Sequence, residues 1–113
     1  MIELAAAIGA RLHSRADSAA EVAACEVYAG DRVSDLMGQA ADKRLLVSNL
    51  PGRQLIRVAE LMDTAGLCLV DGIVPEPDVI ATAERHGTVL MVSPYGLFET
   101  CGRAFAALVA QRT

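Results

Sequence analysis

The chain has 113 residues, 53% of them hydrophobic and 21% charged, with a net charge of −4 and a pI of about 5.0. That length suits one domain with an aliphatic core, since Trp is absent and there are only two Phe and two Tyr. The acidic balance and the scattered Lys and Arg exclude an electrostatic nucleic-acid binder, and no apolar run approaches the ~18–20 residues of a membrane span. Glu3 interrupts an apolar start that has no basic region before it, so no signal peptide is expected. Cys25, Cys68 and Cys101 are odd in number and far apart, and read as reduced thiols of a cytoplasmic protein.

In chain order, Leu4 and Ile8 set a helical spacing over Ile2 to Ile8, with Gly9 as C-terminal cap. Arg11 to Ser14 reads as a short edge strand and Arg15 to Ser18 as a turn. Val22 to Ala29 alternates loosely, with Cys25, Val27 and Ala29 on one side, and reads as a strand. Asp31 or Ser34 then caps a short amphipathic helix that carries Val33, Leu36, Met37 and Ala40 on one face. Lys43-Arg44 leads into the apolar run Leu45–Val47, which stops on Ser48-Asn49.

Two similar runs follow. Leu67–Val70 stops on Asp71-Gly72, and Thr88–Val92 stops on Ser93-Pro94, so the strand ends recur about 22 residues apart, the length of a βαβ step. Between the first two, a helix buries Leu55, Ile56, Ala59, Leu61 and Met62, with Gly66 as its cap. Between the last two, a helix opens on Pro75-Glu76-Pro77-Asp78, turns Val79, Ile80 and Ala83 inward, and ends at Gly87. The last helix carries Leu97, Cys101, Ala104, Phe105 and Leu108 in a wide apolar stripe, with Phe98 and Val109 alongside. Right-handed crossovers make this a three-layer α/β/α fold. Its mainly parallel sheet has about four to five strands, leaving open one antiparallel N-terminal edge strand.

In an open parallel sheet ligands bind outside the carboxyl ends of the strands. Those ends carry Ser48-Asn49, Asp71-Gly72 and Ser93-Pro94-Tyr95, on one edge whatever the strand order; the same residue types also serve there as helix caps and turn formers. Asp31, Arg32 and Asp35 form a second charged cluster at a strand-to-helix junction, where Asp31 could equally be a cap. His13 and His86 lack partners at metal-ligand spacing, so no metal site is expected. His86 suits the C-terminal end of its helix dipole, and Cys68 and Cys101 read as small core residues. Ser93 has no G-x-S-x-G elbow around it. No P-loop and no G-x-G-x-x-G provides a phosphate cradle. No catalytic residue and no cofactor is assigned.

The segment Val27-Tyr28-Ala29-Gly30-Asp31-Arg32-Val33-Ser34-Asp35-Leu36-Met37 resembles a DRTGG domain, and later pieces agree in order. Leu46–Leu50 stands where that family has a strand ending in a Thr-Gly-Gly-like turn. Val70-Asp71-Gly72 with Pro75-Glu76-Pro77 resembles its strand followed by G-x-x-P, and Ser93–Glu99 its entry to the last helix. The chain departs from the pattern in keeping only Asp31-Arg32 of the name-giving motif, in its Ser48-Asn49-Leu50 turn, and in Gly96 where an Asp is common. The resemblance implies one domain over residues 1–113, with the N-terminal helix and short strand over 1–21 and βα repeats over 22–113. It implies a fold similar to the N-terminal domain of HPr kinase/phosphorylase, found also as non-catalytic modules in phosphotransacetylases and in pyrophosphatases with regulatory CBS domains. A kinase activity is not carried over, because the P-loop is missing.

The expectation that follows is a cytoplasmic regulatory module. It forms a homodimer and takes a small anionic ligand, a nucleotide or phosphorylated metabolite, with Asp31, Arg32, Ser48, Asn49, Asp71, Gly72, Ser93 and Tyr95 as candidate ligand-binding residues. Two other readings compete: a structural subunit that presents the last helix to a partner, and a small enzyme that uses Asp31, Asp71 or Ser93.

Overall fold

The structure, a computed structural model, describes residues 1–14 and 26–112. The turn expected over Arg15 to Ser18 and the start of the strand expected from Val22, with Cys25, lie outside the described residues. Among the described residues ten elements follow in order: α1 (Ile2–Ile8), β1 (Arg11–Ser14), β2 (Glu26–Ala29), α2 (Val33–Gln39), β3 (Arg44–Ser48), α3 (Gly52–Leu61), β4 (Gly66–Leu69), α4 (Pro77–Arg85), β5 (Val89–Val92) and α5 (Leu97–Arg112). They build a five-stranded sheet of order β1-β5-β4-β3-β2. Strands β2 to β5 pair in parallel, and β1 lies antiparallel on β5, so the α/β architecture is mainly parallel with one antiparallel N-terminal edge strand.

From β2 to β5 each strand steps one place the same way across the sheet. Right-handed crossovers therefore set α2, α3 and α4 on a single face. Leu36, Leu55, Ile56, Val58, Val79 and Ala83 from these helices bury against Leu46, Leu67, Leu69 and Leu90. The opposite face is covered by the two chain ends: Leu4, Ala5 and Ile8 of α1 and Ala104 of α5 pack on Leu45, Val47, Cys68, Val89 and Met91. Alternate residues of each strand thus feed opposite cores. Strands β4 and β5 are buried throughout, which is why they read as unbroken apolar runs.

Four local expectations are corrected. Gly66 does not cap α3; the helix closes on Met62, whose extended backbone (φ −135°) leaves the helical path, and Gly66 is the first residue of β4. For the same reason Met62 cannot complete the buried stripe, and Leu61, facing away from it, is 65% exposed. Neither Asp31 nor Ser34 caps α2: the cap position is Arg32, whose carbonyl accepts the first helical bond, from Leu36 N–H at 3.0 Å, and no side chain caps it. On α5 the inward stripe is Leu97, Cys101, Ala104 and Leu108; Phe105 lies about 100° around the helix from Ala104 and points outward.

Candidate functional site

Because β2 to β5 are parallel, the polar segments that follow them share one edge of the sheet, and the antiparallel start of β1 arrives there too, with Arg11 opposite Val92. At this edge the connection after β4 runs to the α4 face, while that after β5 runs to the α5 face. The β4/β5 boundary is therefore the topological switch point, the place where open α/β sheets form a crevice.

The two loops at that boundary are laced together. Asp71 N–H donates to Tyr95 O at 2.8 Å, and Gly72 N–H donates to Ser93 O at 2.8 Å. Asp71 takes φ 62° and Gly72 φ 65°, so the chain reverses sharply just past β4. Asp71 is, among the described residues, the only non-glycine with positive φ, a conformation that Asp tolerates better than most side chains. Its carboxylate faces Gly96, where an added Cβ would sit 3.5 Å from Asp71 Oδ1.

The two serines expected at the site are buried and occupied by the fold. Ser48 Oγ accepts Leu50 N–H at 3.1 Å, turning the chain into α3. Ser93 Oγ lies 2.7 Å from Thr100 Oγ1 and accepts Tyr95 N–H at 3.2 Å, which seats the first turn of α5 on the end of β5. Tyr95 is half-buried, with the Arg103 guanidinium 4.0 Å from its ring centroid and Glu99 in turn holding Arg103. Asn49, Asp71 and Gly72 are exposed. Asp31 and Arg32, also exposed, stand beyond β2, two strands from β4, so at ~4.8 Å per strand they lie ~10 Å to the side of the switch. Arg32 approaches Asp35 at 4.0 Å with both side chains largely in solvent.

On the β1 side of the switch an open cleft of about 330 Å³ is lined by Arg11, His13, Gly72, Ile73, Val74 and Pro94. Sequence reasoning did not assign Arg11, Ile73 or Val74, and weighed His13 only as a metal ligand. The available signal was two adjacent aliphatic residues directly after a turn, with no helix or strand to use them; Val74 is 82% exposed. Partial burial, then the positive charge of Arg11, holds the His13 imidazole below its ordinary pKa, favouring the neutral ring. Burial pushes the Cys68 thiol up to about 12, so it carries no thiolate at neutral pH, and burial raises Cys101 as well. Among the described residues no group of three His, Cys, Asp or Glu could hold a metal ion, and no helix is long and apolar enough to cross a membrane.

No family model matches the chain, and no curated protein matches it. It is similar to a solved structure, the CBS and DRTGG domains of the regulatory region of Clostridium perfringens pyrophosphatase, complexed with the activator diadenosine tetraphosphate. The TM-score is 0.73 at 10% sequence identity, over 95% of this chain and 46% of that one. The chain thus spans under half the length of its structural neighbour. At this identity the likeness is one of fold alone.

Proposed function

We propose that the chain is a non-catalytic regulatory module of the DRTGG type, working in the cytoplasm, which dimerises and binds a small anionic ligand at the carboxyl edge of its parallel strands. The observation that carries this reading is the open cleft beside the β4/β5 switch point, where backbone, an arginine and exposed aliphatic groups meet. The fold likeness to a regulatory region whose activator is a nucleotide supports the same ligand class, a nucleotide or phosphorylated metabolite. Asp31, Arg32, Asn49, Asp71, Gly72 and Tyr95 are the candidate ligand contacts along that edge. Of these, Gly72 lines the cleft itself and Asp71 precedes it, while Asp31 and Arg32 stand ~10 Å to the far side of the switch. Ser48 and Ser93 shape the turns from which the strand-end groups are presented.

The reading as a small enzyme is less well supported. Ser93 is fully buried against Thr100, and Asp31 is separated from Asp71 by the width of β3, so acid, base and nucleophile do not converge. The reading as a structural subunit draws on one observation, the outward stripe of α5, and the same stripe serves the dimer proposed here.

A thermal-shift screen with nucleotides and phosphorylated metabolites tests the ligand. A compound present at ~100 times its Kd should add ~2.7 kcal/mol of stability, visible as a clear rise in Tm. A flat response across both classes would remove the ligand-binding half of the reading.

A further inference from the structure

The pairing of β1 with β5 holds an irregularity at the cleft. Arg11 lies opposite Val92 and Leu12 opposite Met91, but Leu90 then faces Ser14, so His13 is an extra residue without a partner. Such a bulge re-aims side chains locally. Here it leaves Arg11 and His13 together on the cleft wall, and the ladder is repaired by a side chain: Ser14 Oγ donates to Thr88 O at 2.7 Å and accepts Leu90 N–H at 2.8 Å. The bulge is therefore stitched in place rather than frayed. Across the cleft, Ile73 and Val74 are held out at 38% and 82% exposure by the positive-φ turn at Asp71-Gly72. Neither belongs to either core cluster. Ser14 and Glu26, the described residues that flank 15–25, sit at the opposite edge of the sheet.

We infer that this cleft takes one mononucleotide-sized ligand, with its phosphate on Arg11 beside His13 and its apolar, planar body against Ile73, Val74 and Pro94. The inference rests on the ligand-binding reading above and adds to it the residues and the ligand's shape. Size fits a small guest: about 330 Å³ lies at the bottom of the ~300–1,000 Å³ range of small-molecule pockets. Charge decides the polarity, since Arg11 is a permanent cation and a bidentate phosphate partner. Burial first, and then the charge of Arg11, holds the adjacent His13 ring below its ordinary pKa. The aliphatic wall decides that a bare anion is not enough, because it offers contact only to a ligand with an apolar face.

The test is calorimetric titration of the whole chain with adenosine 5′-monophosphate, and with adenosine and inorganic phosphate as separate arms. Adenosine 5′-monophosphate should bind at least tenfold more tightly than either half. Arg11→Ala and Val74→Ser should each weaken it, the first by tenfold or more, while Lys43→Ala at the opposite edge changes nothing. Arg11 and Val74 are exposed, so unchanged thermal melts of both variants show that the fold is intact. Nucleotide binding that both variants retain, with NMR shifts confined to residues 31–32 and 48–50, would place the ligand elsewhere and overturn the cleft while the broader reading stands. No binding in any arm overturns the cleft as well, and the wider metabolite screen then decides the broader reading by itself.

Discussion

Gly66 sits where β4 is flanked by β3 and β5 and covered by α1. A Cβ built there would lie 3.1 Å from Leu45 Cδ1, from Met1 Cε and from the Val89 carbonyl oxygen. The methyl tips can yield, but the carbonyl is fixed by the sheet. Gly66→Ala should therefore overpack the centre of the fold and cost ~1–3 kcal/mol, read as a lower urea midpoint at unchanged slope. Gly38, in the last turn of α2 with nothing within 4 Å of its would-be Cβ, is the contrasting site. Alanine there should stabilise by up to ~1 kcal/mol. A neutral Gly66→Ala would mean that the sheet is looser than this packing. The residue scale is also where the sequence misleads. A glycine after a helix pattern reads as a cap, as Gly9 and Gly87 are in fact placed, and only the neighbours across the sheet make Gly66 different. Ser48 and Ser93 show the same ambiguity: small polar residues at strand ends suit a ligand and a turn equally, and here their hydroxyls close turns.

At the scale of elements the chain was largely legible, because strands buried on both faces and amphipathic helices have distinct periods. The edge strand Arg11–Ser14 was readable as a strand, but its bulge was not, since a skipped residue leaves no trace in a four-residue pattern. What the bulge needs is Ser14. Its hydroxyl is the partner of the buried Leu90 amide, which a regular ladder would have paired with backbone. Ser14→Ala leaves that amide without a partner and removes the bond to Thr88 O. The expected loss is ~1–3 kcal/mol, with faster hydrogen exchange concentrated at Leu90. If exchange at Leu90 stays slow, water or backbone has replaced the hydroxyl, and the bulge is held by other means. Because the same bulge positions Arg11 and His13, the variant should also weaken nucleotide binding in proportion to its loss of local order.

At the scale of the whole molecule, strand order was the information missing from the sequence, and with it the side on which β1 would close the switch-point cleft. The last helix was better marked. Its apolar positions fall into two parallel stripes one residue apart: Leu97, Cys101, Ala104 and Leu108 meet the sheet, while Phe98, Gly102, Phe105 and Val109 face outward. Phe98 is 85% and Phe105 67% exposed, beside a shallow hollow lined by Gly102, Arg103 and Ala106. In the dimer proposed above, this surface would pair with itself about a two-fold axis through Gly102. With two copies of α5 antiparallel, each Phe98 stands over the other's Ala106, and each Glu99 comes within a helical turn of the other's Arg103. At ~150 Å² apiece, the four phenylalanines would supply ~600 Å², about half of what a small specific interface of ~1,200 Å² needs, with the rest of both helices to add. The chain should accordingly run in solution at twice its 11.9 kDa mass by light scattering. Phe98→Asp should return it to the monomer with the fold intact by circular dichroism, since that ring contributes little to the core. Its Tm should fall only by the association that is lost, to a value independent of protein concentration. Gly102→Gln offers a sharper check, because it should strengthen the helix by ~0.5 kcal/mol or more while wedging the two copies apart. A monomeric wild type, or a dimer that survives both substitutions, would move the two-fold contact off α5 and leave its outer stripe to a different partner.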